Sequence, residues 1–154
     1  MPNINIRKAK PSDIKSVVEL CELHANFENA EYDKTYKEEK LINYLFQDNP
    51  VLSCLVAEKN DELLGYATAT KEFSTWDADF FLHMDCLYIT EKARGEKLGY
   101  KFMSKIKELA KEQSCSHIQW QTPTDNLGAI SFYKKCGATN KDKVRFFLPL
   151  QTIT

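Results

Sequence analysis

The chain has 154 residues, 43% of them hydrophobic and 28% charged, and a formal net charge of −1. That composition suits one soluble globular domain, residues 1–154, with a single sizeable core. It excludes a surface-wide field selecting nucleic acid or anionic lipid, and no apolar run approaches the roughly 18 residues of a spanning helix.

Taken in order, Ile4 and Ile6 alternate with polar residues and predict a first strand over 3–7. Pro11-Ser12-Asp13 supplies a break and an N-cap, and Ile14, Val17, Val18, Leu20, Cys21 and Leu23 then predict a helix ending near Phe27. Residues 28–39 are polar and acidic. A second helix over 35–46 carries Leu41, Ile42, Leu45 and Phe46 on one side, and Asp48-Asn49-Pro50 ends it. Two strands, 52–58 and 63–73, are joined at Asn60-Asp61, and a third, 80–89, follows Ser74-Thr75-Trp76-Asp77. Leu98, Phe102, Ile106 and Leu109 form the stripe of a helix packed on a sheet. A strand over 117–121, a helix over 127–136 stopped by Gly137, and a last strand over 144–150 complete the chain. The order is β-α-α-β-β-β-α-β-α-β. This is a mixed α/β layer structure, antiparallel at first, with a β-α-β crossover in the second half.

Five cysteines, Cys21, Cys54, Cys86, Cys115 and Cys136, are spread out and never spaced as C-x-x-C, against both a disulfide framework and a zinc site. His24, His83 and His117 are equally scattered, so no metal is expected. The opening residues MPNINIRKAK lack the apolar core of a signal peptide. The expectation is a reduced cytoplasmic compartment, with no membrane or nucleic-acid partner.

The richest stretch is residues 80–99, where an apolar strand runs into the loop Arg94-Gly95-Glu96-Lys97-Leu98-Gly99 and a helix. The first N–H groups of such a helix have no internal partner, and its dipole favours an anion. Two nucleotide motifs are missing. Gly95 and Gly99 do not make G-x-G-x-x-G, and no G-K-[ST] follows. Alone, the loop reads equally as an ordinary strand-to-helix turn.

A second constellation lies downstream. Asp125-Asn126-Leu127-Gly128-Ala129-Ile130-Ser131-Phe132-Tyr133 leads to Gly137-Ala138. With R-G-x-x-L-G before it, the pair resembles the GNAT superfamily of acetyl-CoA-dependent N-acetyltransferases, whose loop is written R/Q-x-x-G-x-G/A. Arg94 and Gly99 match that loop, whereas Lys97 stands at its first glycine. Phe27-Glu28, Cys54–Glu58, Gly65-Tyr66-Ala67 and the F-S-T-W loop ending at Trp76 further resemble the spermidine/spermine (diamine) acetyltransferase-like branch.

The resemblance implies a mixed central sheet of six to seven strands flanked by about four helices. It implies a metal-free enzyme moving acetyl from acetyl-CoA to a primary amine, by direct attack, on a small cationic acceptor such as a di- or polyamine. It places the pyrophosphate on the amides of Gly95, Glu96, Lys97, Leu98, Gly99 and Tyr100, with Arg94, Asn126 and Ala129 also at the cofactor. Leu87, Tyr88 and Ile89 would pair with the pantetheine arm, the Leu87 amide polarising the thioester carbonyl. Tyr133 would protonate the leaving thiolate, since a phenol of pKa near ~10 suits a thiol. Asp85 would take the proton of the attacking ammonium, directly or through water. It lies in an apolar strand where an unpaired carboxylate is costly, and the branch carries Glu there. A structural reading, with Asp85 paired to a neighbouring side chain, stands beside this one.

Phe27, Glu28, Trp76 and Asp85 would line the acceptor site, with Glu31 and Asp33 adding acidity. His24 stands one helical turn before Glu28, and the acidic cluster reads equally as a solvated loop. Relatives are often homodimers, and Phe146 and Phe147 would suit an interface. The alternatives are acetylation of an amine-bearing antibiotic, amino acid or protein amino group, and a non-catalytic acyl-CoA-sensing module.

Overall fold

The computed structural model describes residues 3–151. Its chain forms two compact units, one running to Gln121 and one beginning at Thr122. In the first, β1 (Asn5–Lys8) leads through a 3₁₀ turn at Pro11–Asp13 to α1 (Ile14–Phe27) and α2 (Lys37–Leu45). Strands β2 (Ser53–Lys59), β3 (Glu62–Ser74) and β4 (Asp79–Ile89) follow, then α3 (Leu98–Glu112) and β5 (Ile118–Gln119). The second unit holds α4 (Leu127–Lys135).

The sheet runs β1-β2-β3-β4-β5 in both sequence and space. Its first four strands are antiparallel, and β5 lies parallel to β4 at Leu82↔Ile118 and His83↔Gln119. The α3 crossover supplies the long connection that a parallel pair requires. The expected mixed α+β architecture with four helices is present, but among the described residues the sheet has five strands, not six to seven. The strand expected over 144–150 does not form. A strand needs a partner ladder, and among its described residues the second unit has no other strand to supply one.

Alternation along the strands makes two apolar faces. Cys54, Val56, Tyr66 and Tyr88 pack with Ile14, Val17, Val18 and Leu20 of α1 and with Leu45 of α2. Leu98, Phe102 and Ile106 of α3 are fully buried, as the four-residue stripe requires, and each such burial contributes roughly 1.5–3 kcal/mol. Gly65 shows how close α3 and the sheet lie: a Cβ there would stand 2.7 Å from the Tyr88 carbonyl oxygen and 3.1 Å from the Phe102 ring.

An ion pair holds the start of α1. Arg7 forks onto both Asp13 oxygens at 2.7 and 3.0 Å, and its Nε donates to Glu58 at 2.9 Å. The Asp13 carboxylate also accepts the Lys10 N–H at 2.7 Å. At the far end Asn29 takes a φ of 59°, and Ala30 N–H returns to the Ala25 carbonyl, closing α1 just past Glu28.

Register changes once inside β4. Thr68 pairs with Cys86 and Ala69 with Met84, so Asp85 is an extra residue without a partner in β3. This bulge reverses the phase of the strand. Leu82 and Met84 precede it; Cys86 and Tyr88 follow it, packed on the α1 side.

In the second unit, the Asn126 side chain caps α4 by accepting the Ala129 N–H at 3.2 Å. Gly137, at φ 93°, closes α4 with Gly137 N–H on the Lys134 carbonyl and Ala138 N–H on that of Tyr133.

Candidate active site

Three parts of the first unit converge on the end of β4: the bulge, the loop before α3, and the C-terminus of α1. Asp85 is exposed, not enclosed as an apolar strand suggests, because the bulge takes it out of the ladder. The Cys86 thiol donates to its Oδ2 at 3.8 Å. Beyond His83, β4 has no further register with β5, so the main chain of Leu87, Tyr88 and Ile89 on that edge carries no strand pairing among the described residues. An extended ligand arm could be received there by strand addition.

The loop follows directly. Gly95 takes a φ of 89°, and nothing stands within 4 Å of where a Cβ would be, so its backbone is uncovered. Lys97 is the N-cap of α3 with φ 60° and ψ 22°, a left-handed conformation ordinarily left to glycine. Lys97 thus holds a backbone that glycine adopts without steric cost. Leu98, Gly99 and Tyr100 form the first turn of the 15-residue α3, whose leading N–H groups suit a phosphate. Glu96 and Tyr100 are exposed beside them. Arg94 turns away from this loop: its Nε donates to the Ile89 carbonyl at 3.1 Å, and its guanidinium lies over the rings of Phe27 and Tyr88 at 4.6 and 5.8 Å.

That stacking joins Phe27 and Glu28, at the end of α1, to the strand. Between them lies a cluster that spacing alone does not reveal. The His24 ring stacks on Tyr88 with centroids 5.2 Å apart, its Nδ1 is 2.8 Å from the Tyr66 hydroxyl, and its Nε2 is 3.8 Å from Glu28 Oε2. Burial holds His24 below the ordinary imidazole range, while the charges of Glu28 and Asp85 oppose that effect. Burial likewise drives Tyr66 far above the ordinary phenol range, with Cys86 and Cys21 adding to it. Cys86 is pushed up to about 11 by burial, then by the Asp85 charge, and so remains a thiol at neutral pH.

Trp76 is not brought to this place. It sits at the β3–β4 hairpin tip, 97% exposed. Asp85 lies six positions along the strand from Asp79, roughly 20 Å at the usual rise. Asn126, Ala129 and Tyr133 belong to the second unit, where Asn126 and Ala129 bond each other across the first turn of α4. Tyr133 is half-buried one residue from Phe132, the two rings 5.4 Å apart.

Residues 17–138 match the model of the acetyltransferase (GNAT) family. The chain belongs to that family. It is thus an acetyltransferase by descent, and the resemblance read from Arg94, Gly99, Asn126 and Tyr133 is borne out. Over 146 residues it is 28% identical to thialysine N-epsilon-acetyltransferase of Mus musculus, covering 90% of this chain and 85% of that protein. It is 24% identical to spermidine/spermine N(1)-acetyltransferase-like protein 1 of Homo sapiens, over 90% of this chain and 21% of that longer one. Both relatives are consistent with the diamine acetyltransferase-like branch. An aminoglycoside N-acetyltransferase solved in complex with CoA shares the fold, with a TM-score of 0.83 over 97% of this chain and 96% of that one at 12% identity. No helix among the described residues is long and apolar enough to cross a membrane.

Proposed function

We propose that this chain is one catalytic domain that moves an acetyl group from acetyl-CoA to a primary amine of a small cationic acceptor, di- or polyamine-like. The observation that carries the reading is the bulge at Asp85: it sets a carboxylate outside the ladder, two residues before the Leu87 amide, on a strand edge that carries no pairing among the described residues. Acetyl-CoA, when bound, supplies an activated thioester. The amides opening α3 hold its phosphates, and the β4 edge from Leu87 to Ile89 takes its arm. Leu87 N–H is the donor for the thioester oxygen.

Asp85 removes a proton from the acceptor ammonium, directly or through one water, so that a neutral amine attacks. Its exposure favours the route through water. Tyr133 gives its phenolic proton to the departing thiolate. The raised Cys86 thiol supports direct attack on acetyl-CoA without an acyl-cysteine. Phe27 and Glu28 form the acceptor wall beside the β4 end, and the names of the thialysine and spermidine/spermine relatives support an amine acceptor. Trp76 does not belong to that wall within one chain. The exposed Val144, Phe146, Phe147, Leu148 and Leu150 support a homodimer contact, which light scattering after size exclusion tests.

An acceptor panel of diamines, polyamines, lysine analogues, an aminoglycoside and a peptide amine, followed by CoA-thiol release, tests the function. Release with cationic small amines is expected. Release only with a peptide or antibiotic moves the acceptor to those classes, and CoA binding without release by any amine leaves an acyl-CoA sensor.

A further inference from the structure

The proposed mechanism makes no use of His24, yet the imidazole is held on three sides. The Tyr66 hydroxyl fixes Nδ1, the Tyr88 ring covers one face, and the side chain is 19% exposed with Nε2 aimed at Glu28. Tyr66 itself is almost completely buried and stays a phenol, so it is a fixed anchor. At 3.8 Å a neutral ring makes no hydrogen bond to the Glu28 carboxylate, whereas an imidazolium at that distance is an ion-pair partner. The carboxylate therefore has two possible partners, the proton-bearing ring behind it and a cation arriving in front.

We propose that His24 is a positioning residue that governs acceptor binding through Glu28: the neutral imidazole leaves the carboxylate to a cationic acceptor, and the imidazolium takes it. This rests on the amine-acceptor reading above. The groups acting on the ring are Glu28 from α1, Tyr66 from β3, and Asp85 and Tyr88 from β4, while Cys21 and Cys86 adjoin Tyr66 and Arg94 stacks on Tyr88. Burial keeps the ring neutral at neutral pH, so the competition opens only on mild acidification. Below the His24 midpoint the acceptor KM then rises, up to about tenfold per pH unit, because one proton competes with one cation.

The test reads His24 itself. Its imidazole signals are titrated by NMR in the full chain, in Glu28→Gln, and in the full chain saturated with spermidine. The expected result is a midpoint lower by about one pH unit in Glu28→Gln, and lower again than the free chain with spermidine present. A midpoint unmoved by Glu28→Gln overturns the proposal whether or not the chain transfers acetyl groups, and one unmoved by spermidine overturns it as well. A parallel KM profile over about pH 5.5–8 should flatten in His24→Gln with kcat kept within a few-fold. A profile as steep as that of the native chain also sinks it. Failure of the acetyl-transfer reading is separate, because it shows as no CoA-thiol release with any amine.

Discussion

The Arg94 guanidinium lies 4.6 Å over the Phe27 ring, tying the loop before α3 to the end of α1. An arginine read in the sequence as a phosphate-loop residue spends its planar face and its Nε on the protein itself. Arg94→Ala should cost about 1 kcal/mol in urea unfolding, from one exposed cation–π contact and one hydrogen bond. Arg94→Lys should not restore it, since an ammonium lacks the planar fork. CoA affinity, read by calorimetry, should fall less than for a residue bound directly to phosphate.

Lys97 carries a left-handed backbone at the N-cap of α3. Lys97→Gly should therefore stabilise the chain by about 0.5–1 kcal/mol, the relief of strain being partly offset by the freer unfolded glycine. The thermal midpoint should rise by about 1–4 °C. CoA affinity should hold or improve, because the amide geometry is kept. A lowered midpoint would mean that the Lys97 side chain has a supporting contact.

Asp13 is held below the ordinary carboxylate range, first by the Arg7 hydrogen bonds and then by the Lys10 N–H, against the effect of burial. A depressed folded value means that the unfolded chain binds the proton more readily. The stabilisation is thus complete above the ordinary value of 3.8 and is lost as pH falls through the folded one. Asp13→Asn should cost about 1.5–3 kcal/mol at neutral pH, the loss shrinking as pH falls below 3.8 and through the lower folded value. Denaturant unfolding at several pH values checks it.

Tyr133→Phe and Asp85→Asn separate chemistry from binding. Each should lower kcat by about 10²–10⁴ while CoA affinity stays within a few-fold. Asp85→Glu should retain part of the rate, because the bulge leaves room in solvent for a longer side chain. Unchanged turnover in Tyr133→Phe would remove the phenol from the mechanism.

The parts legible in the sequence are those written at short range. The α3 stripe, the α1 span from Ile14 to Phe27, the Asn126 cap and the Gly137 stop each follow from residues within one or two turns. What escaped depends on partners far along the chain. The bulge at Asp85 exists only in register with Thr68 and Ala69, and the His24–Tyr66 bond spans 42 positions. Its one local signal was the four-residue step from His24 to Glu28. Residues 144–150 failed as a strand for the complementary reason: an apolar run cannot announce whether a ladder awaits it.

The unpaired position at 85 also carries a consequence for heredity. Its neighbours Met84 and Cys86 already pair with Ala69 and Thr68, which are consecutive in β3. A chain without residue 85 would therefore close a regular ladder, with Met84 on its own face and Cys86 and Tyr88 still against α1. One codon lost there would leave the core in register and take away only the projecting carboxylate and the local bend of β4. The sheet thus carries this residue as an insertion, and a lineage that needed the fold without the acid could discard it in a single step.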